Sequence, residues 1–246
     1  MEHPLAAIIL AAGKGTRMKS DLPKVLHKVL GKTMVSRVID QAKAVGVQKI
    51  VVVVGYKKEM VMESLKDADV TFAIQEEQLG TAHAVMQCEP FFETWDGDIL
   101  ILSGDVPLLT THTLQQLIKR HIDNNADATM LTAIVENPEG YGRILRNDDN
   151  TLKDIVEEKD ATPEIRQIKE INSGIYVFKK EPLFSYLKYV DNKNAQGEYY
   201  LPDVLPIMVR NNKKIYLQVA DQWEEVQGIN TIEELKQTEE KLKRML

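Results

Sequence analysis

Residues 13–24 read GKGTRMKSDLPK, two glycines followed closely by Arg17 and Lys24. Gly13 and Gly15 allow backbone N–H groups to approach an anion closely, and the two cationic side chains add fixed charge. Seven Lys and Arg lie between Gly13 and Arg37 against a single acid, Asp21, in a chain whose formal net charge is -6. A basic segment this short in an acidic protein suits a small polyanion. It is not a Walker A loop, because G-x-x-x-x-G-K-[ST] is absent. It is not a dinucleotide fingerprint either, because Met18 stands where the third glycine belongs. On glycine spacing alone, a tight strand-to-helix turn with solvated lysines explains it equally well.

Asp105 is the second candidate for chemistry. It ends DILILSGD, a run that reads as a buried strand. Its position at the carboxyl edge of a sheet is where ligands bind in such folds, whereas a lone aspartate at a strand end more commonly caps a turn. The histidines offer less: no His/Cys cluster has metal-ligand spacing, and His27 and His83 are explained by capping or packing. Cys88 is the only cysteine, which excludes an intramolecular disulfide and a Cys-based zinc cluster.

These residues need a scaffold, and the chain supplies a recognisable one. AAIIL and KIVVVVG are continuous apolar runs, as expected of parallel strands covered on both faces. Between them TMVSRVIDQAKAVG has helical apolar spacing and a terminating Gly46, and THTLQQLIKRHIDNN is a further helix. Strand–helix alternation predicts a Rossmann-like, doubly wound α/β mixed sheet. In the second half, YGRILRNDDNTLKDIVEEKDA reads as a hairpin and EINSGIYVFKK as a strand, together an extension covering the nucleotide pocket. TIEELKQTEEKLKRML reads as a C-terminal helix, with Thr231 as N-cap and a basic end. The expected division is a catalytic domain over 1–230 and this helix over 231–246. With 246 residues, 43% hydrophobic and 28% charged, the composition is that of a globular protein. No run of about 18 apolar residues and no signal-peptide pattern is present, so a cytoplasmic location is expected. Net negative charge argues against broad nucleic-acid binding.

LAAGKGTRMKSDLPKVLH resembles the signature of the sugar-1-phosphate nucleotidylyltransferases, G-x-G-T-R-M followed by P-K. The resemblance continues in order through QEEQLGTAHA, SGDVPLL, YGRI, IVEEKDA, INSGIY, NAQGEYYLPDV and VQGIN, and is closest to the uridylyltransferases that make UDP-N-acetylglucosamine. It implies transfer of uridylyl from UTP to N-acetyl-α-D-glucosamine 1-phosphate, with Mg²⁺ as cofactor. It further implies that Leu10, Ala11, Ala12 and Gly13 bound the nucleotide pocket and that Gln75, Gly80 and Thr81 recognise uracil. A side-chain amide and backbone groups can satisfy both a carbonyl and an imide N–H. Asp105 and Asn230 become the Mg²⁺ ligands, and Arg17 and Lys24 the catalytic cations. Gly142, Glu157 and Asn172 fall on the sugar side, where Tyr141 and Tyr199 add apolar wall or core. Ser103 stands before GD where some members carry tyrosine; its backbone and that of Gly104 still approach the ligand. Bifunctional members continue into a left-handed β-helix with acetyltransferase activity, and no such repeat is present in these 246 residues. The expectation is therefore a monomer or weak dimer without that second activity.

Overall fold

The computed structural model describes residues 3–245. The chain opens with β1 (Leu5–Ala11), a small hairpin of β2 (Lys28–Val29) and β3 (Lys32–Thr33), α1 (Met34–Ala44), β4 (Lys49–Val54), α2 (Lys58–Ser64) and β5 (Thr71–Ile74). Then come α3 (Thr81–Met86), β6 (Asp98–Ser103), α4 (Thr111–Asp123), β7 (Ala128–Ile134), β8 (Arg143–Arg146), β9 (Leu152–Val156) and α5 (Pro163–Arg166). The last elements are β10 (Glu170–Lys179), α6 (Lys180–Leu187), α7 (Val204–Arg210), β11 (Ile215–Val219) and α8 (Ile232–Met245).

β1 shows why the sheet forms. Its side chains alternate between two cores: Leu5, Ala7, Ile9 and Ala11 enter one, Ala6 and Ile8 the other. A strand buried on both faces must be apolar throughout, which is the pattern of LAAIILA. β1 pairs in parallel with β4 on one side and β6 on the other, Ile8 lying opposite both Val51 and Ile101. The strand order is β11-β7-β10-β6-β1-β4-β5. Successive strands therefore add on one side of β1 (β4, β5) and then on the other (β6), all parallel to it, and a crevice opens at its carboxyl end where the order switches. Local caps agree with the sequence: Thr33 Oγ1 accepts from Ser36 N at the start of α1, and Thr110 Oγ1 from Thr113 N at the start of α4. Gly46 adopts φ +84° just beyond α1.

The second half departs from the expected extension. β10 runs antiparallel between β6 and β7, and β11 adds in parallel beyond β7, so these strands complete the main sheet. β8 and β9 branch from the linear strand order as a hairpin, joined to the sheet where Arg143 pairs with Ile171 of β10. Their apolar residues enter the same core as Tyr176 and Phe178 of β10, which is why the halves fuse. The pairing of β10 with β7 shifts register between Asn172 and Ile175, a bulge at Ser173–Gly174. Among the described residues, no helix is long and apolar enough to cross a membrane.

Candidate active site

The loop after β1 is built around Lys24. Gly15 adopts φ +62°, and a Cβ there would lie 2.5 Å from Lys24 Cβ, so only glycine lets the two segments meet. The fully buried Met18 pins the loop to the protein body. On its outer side Lys57 donates to the carbonyl of Asp21, while Lys14 and Lys57 lie 5.7 and 5.6 Å from the centre of the Tyr56 ring.

From this loop Lys24 reaches two other parts of the chain. Its Nζ donates to Asp105 Oδ2, and to Asn230 Oδ1 at 2.9 Å. Arg17 Nη2 donates to the same Asn230 oxygen at 3.0 Å. Asp105 follows β6 and Asn230 precedes α8; the backbone joins them, Ile229 N donating to Asp105 O at 3.0 Å. Asn230 Nδ2 donates to Gly228 O at 3.3 Å, which turns the amide oxygen toward the cations. A carboxylate and an amide oxygen thus converge on a positive charge. Among the described residues, no group of three or more His, Cys, Asp or Glu could hold a metal. One carboxylate and one amide oxygen, both engaged here by the Lys24 ammonium, are a donor set of the kind Mg²⁺ takes when phosphate and water complete its shell.

Beside this cluster lies a cavity of about 410 Å³. Leu10, Ala11, Ala12 and Gly13 line it, with Lys24, Gln75, Gly80, Thr81, Ser103 and Asp105. Gln75 is only 3% exposed; its Nε2 donates to Gly80 O at 3.0 Å and contacts His83 Nδ1 at 3.1 Å, which fixes the amide. Thr81 Oγ1 accepts from Leu201 N, tying α3 to the segment that carries Tyr199. Tyr141 and Tyr199 pack against the two cores.

A second cavity of about 230 Å³ adjoins the first through Leu10, Thr81, Ser103 and Glu198, which line both. Glu157 and Asn172 are on its wall. Burial pushes the Glu157 carboxyl above its usual range; a hydrogen bond from Asn172 opposes this, and Asp160 reinforces it. Asn172 Oδ1 accepts from Gly174 N and from Tyr176 Oη, both at 2.8 Å, so the β10 bulge orients the amide. Gly142 donates no side chain but makes room: a Cβ there would sit 2.7 Å from Glu157 Oε1. Its carbonyl accepts from Asn172 N at 2.8 Å. Next to it the buried Arg143 donates to Glu158 Oε2 at 2.7 Å, which holds the start of the hairpin.

Arg17, Gly104, Gly142 and Asn230 line neither cavity directly. Gly104 N donates to Leu10 O at 2.9 Å, so it fixes the turn that presents Asp105. Conversely, Lys14, Gln78, Gln196, Glu198 and Tyr200 line the cavities without having been singled out from sequence. Lys14 had a signal, its place between the two glycines. The others lie inside the motifs QEEQLGTAHA and NAQGEYYLPDV, which mark the segments without saying which of their side chains face the cavities.

A family model described as nucleotidyl transferase matches residues 6–241. The chain is 50% identical over 224 residues to "Bifunctional protein GlmU" of Geobacillus sp. (strain WCH70), covering 91% of this chain and 49% of that protein. Proteins of the same name from Halalkalibacterium halodurans and Staphylococcus carnosus are 48% and 45% identical, each covering 98% of this chain and 52% and 53% of theirs. The chain spans about half the length of these curated relatives. Since the family match runs from β1 into α8 and takes in both cavities and the cation cluster beside the larger one, the chain belongs to the nucleotidyl transferase family.

Proposed function

We propose that this cleft transfers a uridylyl group from UTP to N-acetyl-α-D-glucosamine 1-phosphate, releasing pyrophosphate and forming UDP-N-acetylglucosamine, a peptidoglycan precursor. The observation that carries it is the Lys24–Asp105–Asn230–Arg17 cluster beside two adjoining cavities, one large enough for a nucleotide and one lined by a carboxylate and an amide. The resemblance of the site motifs to sugar-1-phosphate nucleotidylyltransferases supports the choice of substrates.

The acceptor phosphate is already an anion at neutral pH, so no side chain need act as nucleophile or general base. The chain's task is to hold two mutually repelling anions in line. In the larger cavity Gln75, Gly80 and Thr81 orient the base, while residues 10–13 keep the backbone close to the nucleotide. Lys14, Lys24 and Arg17 offset phosphate charge along the β1 loop. Glu157 and Asn172 bind sugar hydroxyl and acetamido groups. Asp105 and Asn230 would hold Mg²⁺, which when bound polarises phosphate oxygens and offsets the charge of the leaving pyrophosphate. In the same reading the chain works in the cytoplasm on small anions, without nucleic acid or membrane.

Pyrophosphate release is the test, run with UTP, CTP, ATP and dTTP against N-acetylglucosamine, glucosamine and glucose 1-phosphates. Fastest release with UTP and the N-acetylated sugar is expected. A different preferred pair would assign another transferase of this family, and no release from any pair would leave a nucleotide-binding module instead.

A further inference from the structure

Asn230 is held from behind as well as from the site. Its backbone N–H donates to Glu234 Oε2 at 2.6 Å, and Thr231 N donates to the same oxygen at 3.3 Å. Glu234 N in turn donates to Thr231 Oγ1 at 3.1 Å. These reciprocal bonds form a capping box at the start of α8, in which two otherwise unpaired backbone donors are satisfied by one carboxylate. The helix behind the box is anchored independently. Ile229 is fully buried with Val29 and Met34, and Leu235 and Leu242 of α8 pack on them. Glu239 Oε1 also accepts from Leu30 N at 3.0 Å, at the β2–β3 turn. One helix therefore touches the segment carrying Asn230 and the hairpin that follows Lys24.

An ordinary cap would need only to end the helix. This one lies one peptide from an amide oxygen that meets Lys24 and Arg17, and one further residue from the Ile229–Asp105 backbone bond. We infer that Glu234 is a positioning residue for the metal seat: through the capping box it sets where Asn230 Oδ1 stands relative to Asp105. This rests on the proposed role of those two oxygens. Glu234 touches neither cavity, so its influence passes through the backbone of Asn230. Outer residues of this kind change metal affinity or activity by about 10–100-fold when removed.

The experiment is Mn²⁺ binding to the full chain with UTP and no acceptor sugar, read by electron paramagnetic resonance beside thermal melts. Glu234→Ala is expected to weaken Mn²⁺ binding by about 10-fold or more. Glu234→Gln, which keeps an acceptor oxygen, should restore most of it. Glu239→Ala loosens the same helix at its other anchor and should leave Mn²⁺ affinity within about two-fold, because no bond it breaks involves Asn230. Unchanged affinity in Glu234→Ala would overturn the inference, as would an equal loss in Glu239→Ala. If Glu234→Ala does not fold, Thr231→Val opens the box from its other side with the same expected direction, and unchanged affinity there overturns the inference equally. Absence of Mn²⁺ binding in the wild-type chain would instead remove the metal seat itself.

Discussion

Lys24→Met is the most informative single change at the cation cluster. Methionine keeps the unbranched stem that packs under Gly15 and deletes only the charge. Two unit charges at about 4 Å interact by ~1 kcal/mol in bulk water and ~4 kcal/mol at an effective dielectric of about 20. The Lys24 and Asp105 side chains are 16% and 18% exposed, so the drier figure is the closer one. Removing one preorganised donor of this kind typically costs ~2.7–4 kcal/mol, about 10²–10³ in turnover. The assay is coupled pyrophosphate detection with both substrates saturating, together with thermal melting to confirm the fold. If Lys24 acts on charge that develops during transfer, kcat falls by about that factor and kcat/KM falls with it. A folded variant whose kcat stays within about three-fold of wild type, with only a raised UTP KM, would show that Lys24 contributes uniform binding and not catalysis.

Asp105→Asn should lower activity by at least about 10²-fold and shift the Mg²⁺ titration to higher concentration, since the amide keeps the shape and loses the charge; an unchanged titration would exclude Asp105 as ligand. Gly142→Ala should raise the KM for the sugar phosphate by about 10-fold or more while leaving that for UTP near its original value, because the new methyl displaces Glu157 and little else. Asp203 has its pKa raised to about 7, by burial first and then by Glu157, Asp154, Asp191 and Asp160. A folded-state pKa above the unfolded value means that the folded protein binds the extra proton, so this group's penalty is absent in acid and grows until pH passes 7. Asp203→Asn should therefore raise Tm by a few degrees at pH 8 and by less at pH 5. An equal gain at both, measured by scanning calorimetry, would remove the pH-linked explanation.

The elements around β1 were legible because burial on both faces leaves an unbroken apolar run, and because α1 and α4 carry their own caps in Thr33 and Thr110. β10 was legible as a strand and not as a central one. Its partners β6 and β7 are both distant in sequence, and no local pattern names them. Much the same holds for the site. Arg17 and Lys24 announce themselves in a compact basic loop. Asn230 is marked only through the resemblance, by VQGIN; taken alone it is an asparagine before a helix, and only the folded chain brings its oxygen to Lys24. Glu234 is visible in sequence as half of T-x-x-E at a helix start, yet the bond from Asn230 that gives the box a consequence is not. Glu198 joins both cavities; NAQGEYYLPDV marks its segment, but that this side chain borders both is visible only in the fold.

The bulge in β10 also bears on how such a protein can change over generations. Downstream of it, Tyr176–Lys179 pair with β6 and sit in the middle of the sheet, where a one-residue slip would turn every side chain to the wrong face. Upstream, Glu170–Asn172 meet β7, with Ile171 opposite Arg143 of the β8–β9 hairpin that leads to Glu157. The unpaired residues at Ser173–Gly174 take up the mismatch between these stretches. Insertions or deletions in the hairpin need not propagate into the central register. The wall that carries Glu157, proposed above as the acceptor side, can thus vary in length and shape under mutation while the half that holds the β1 loop stays fixed, so on that reading a lineage could try new acceptors without rebuilding its core.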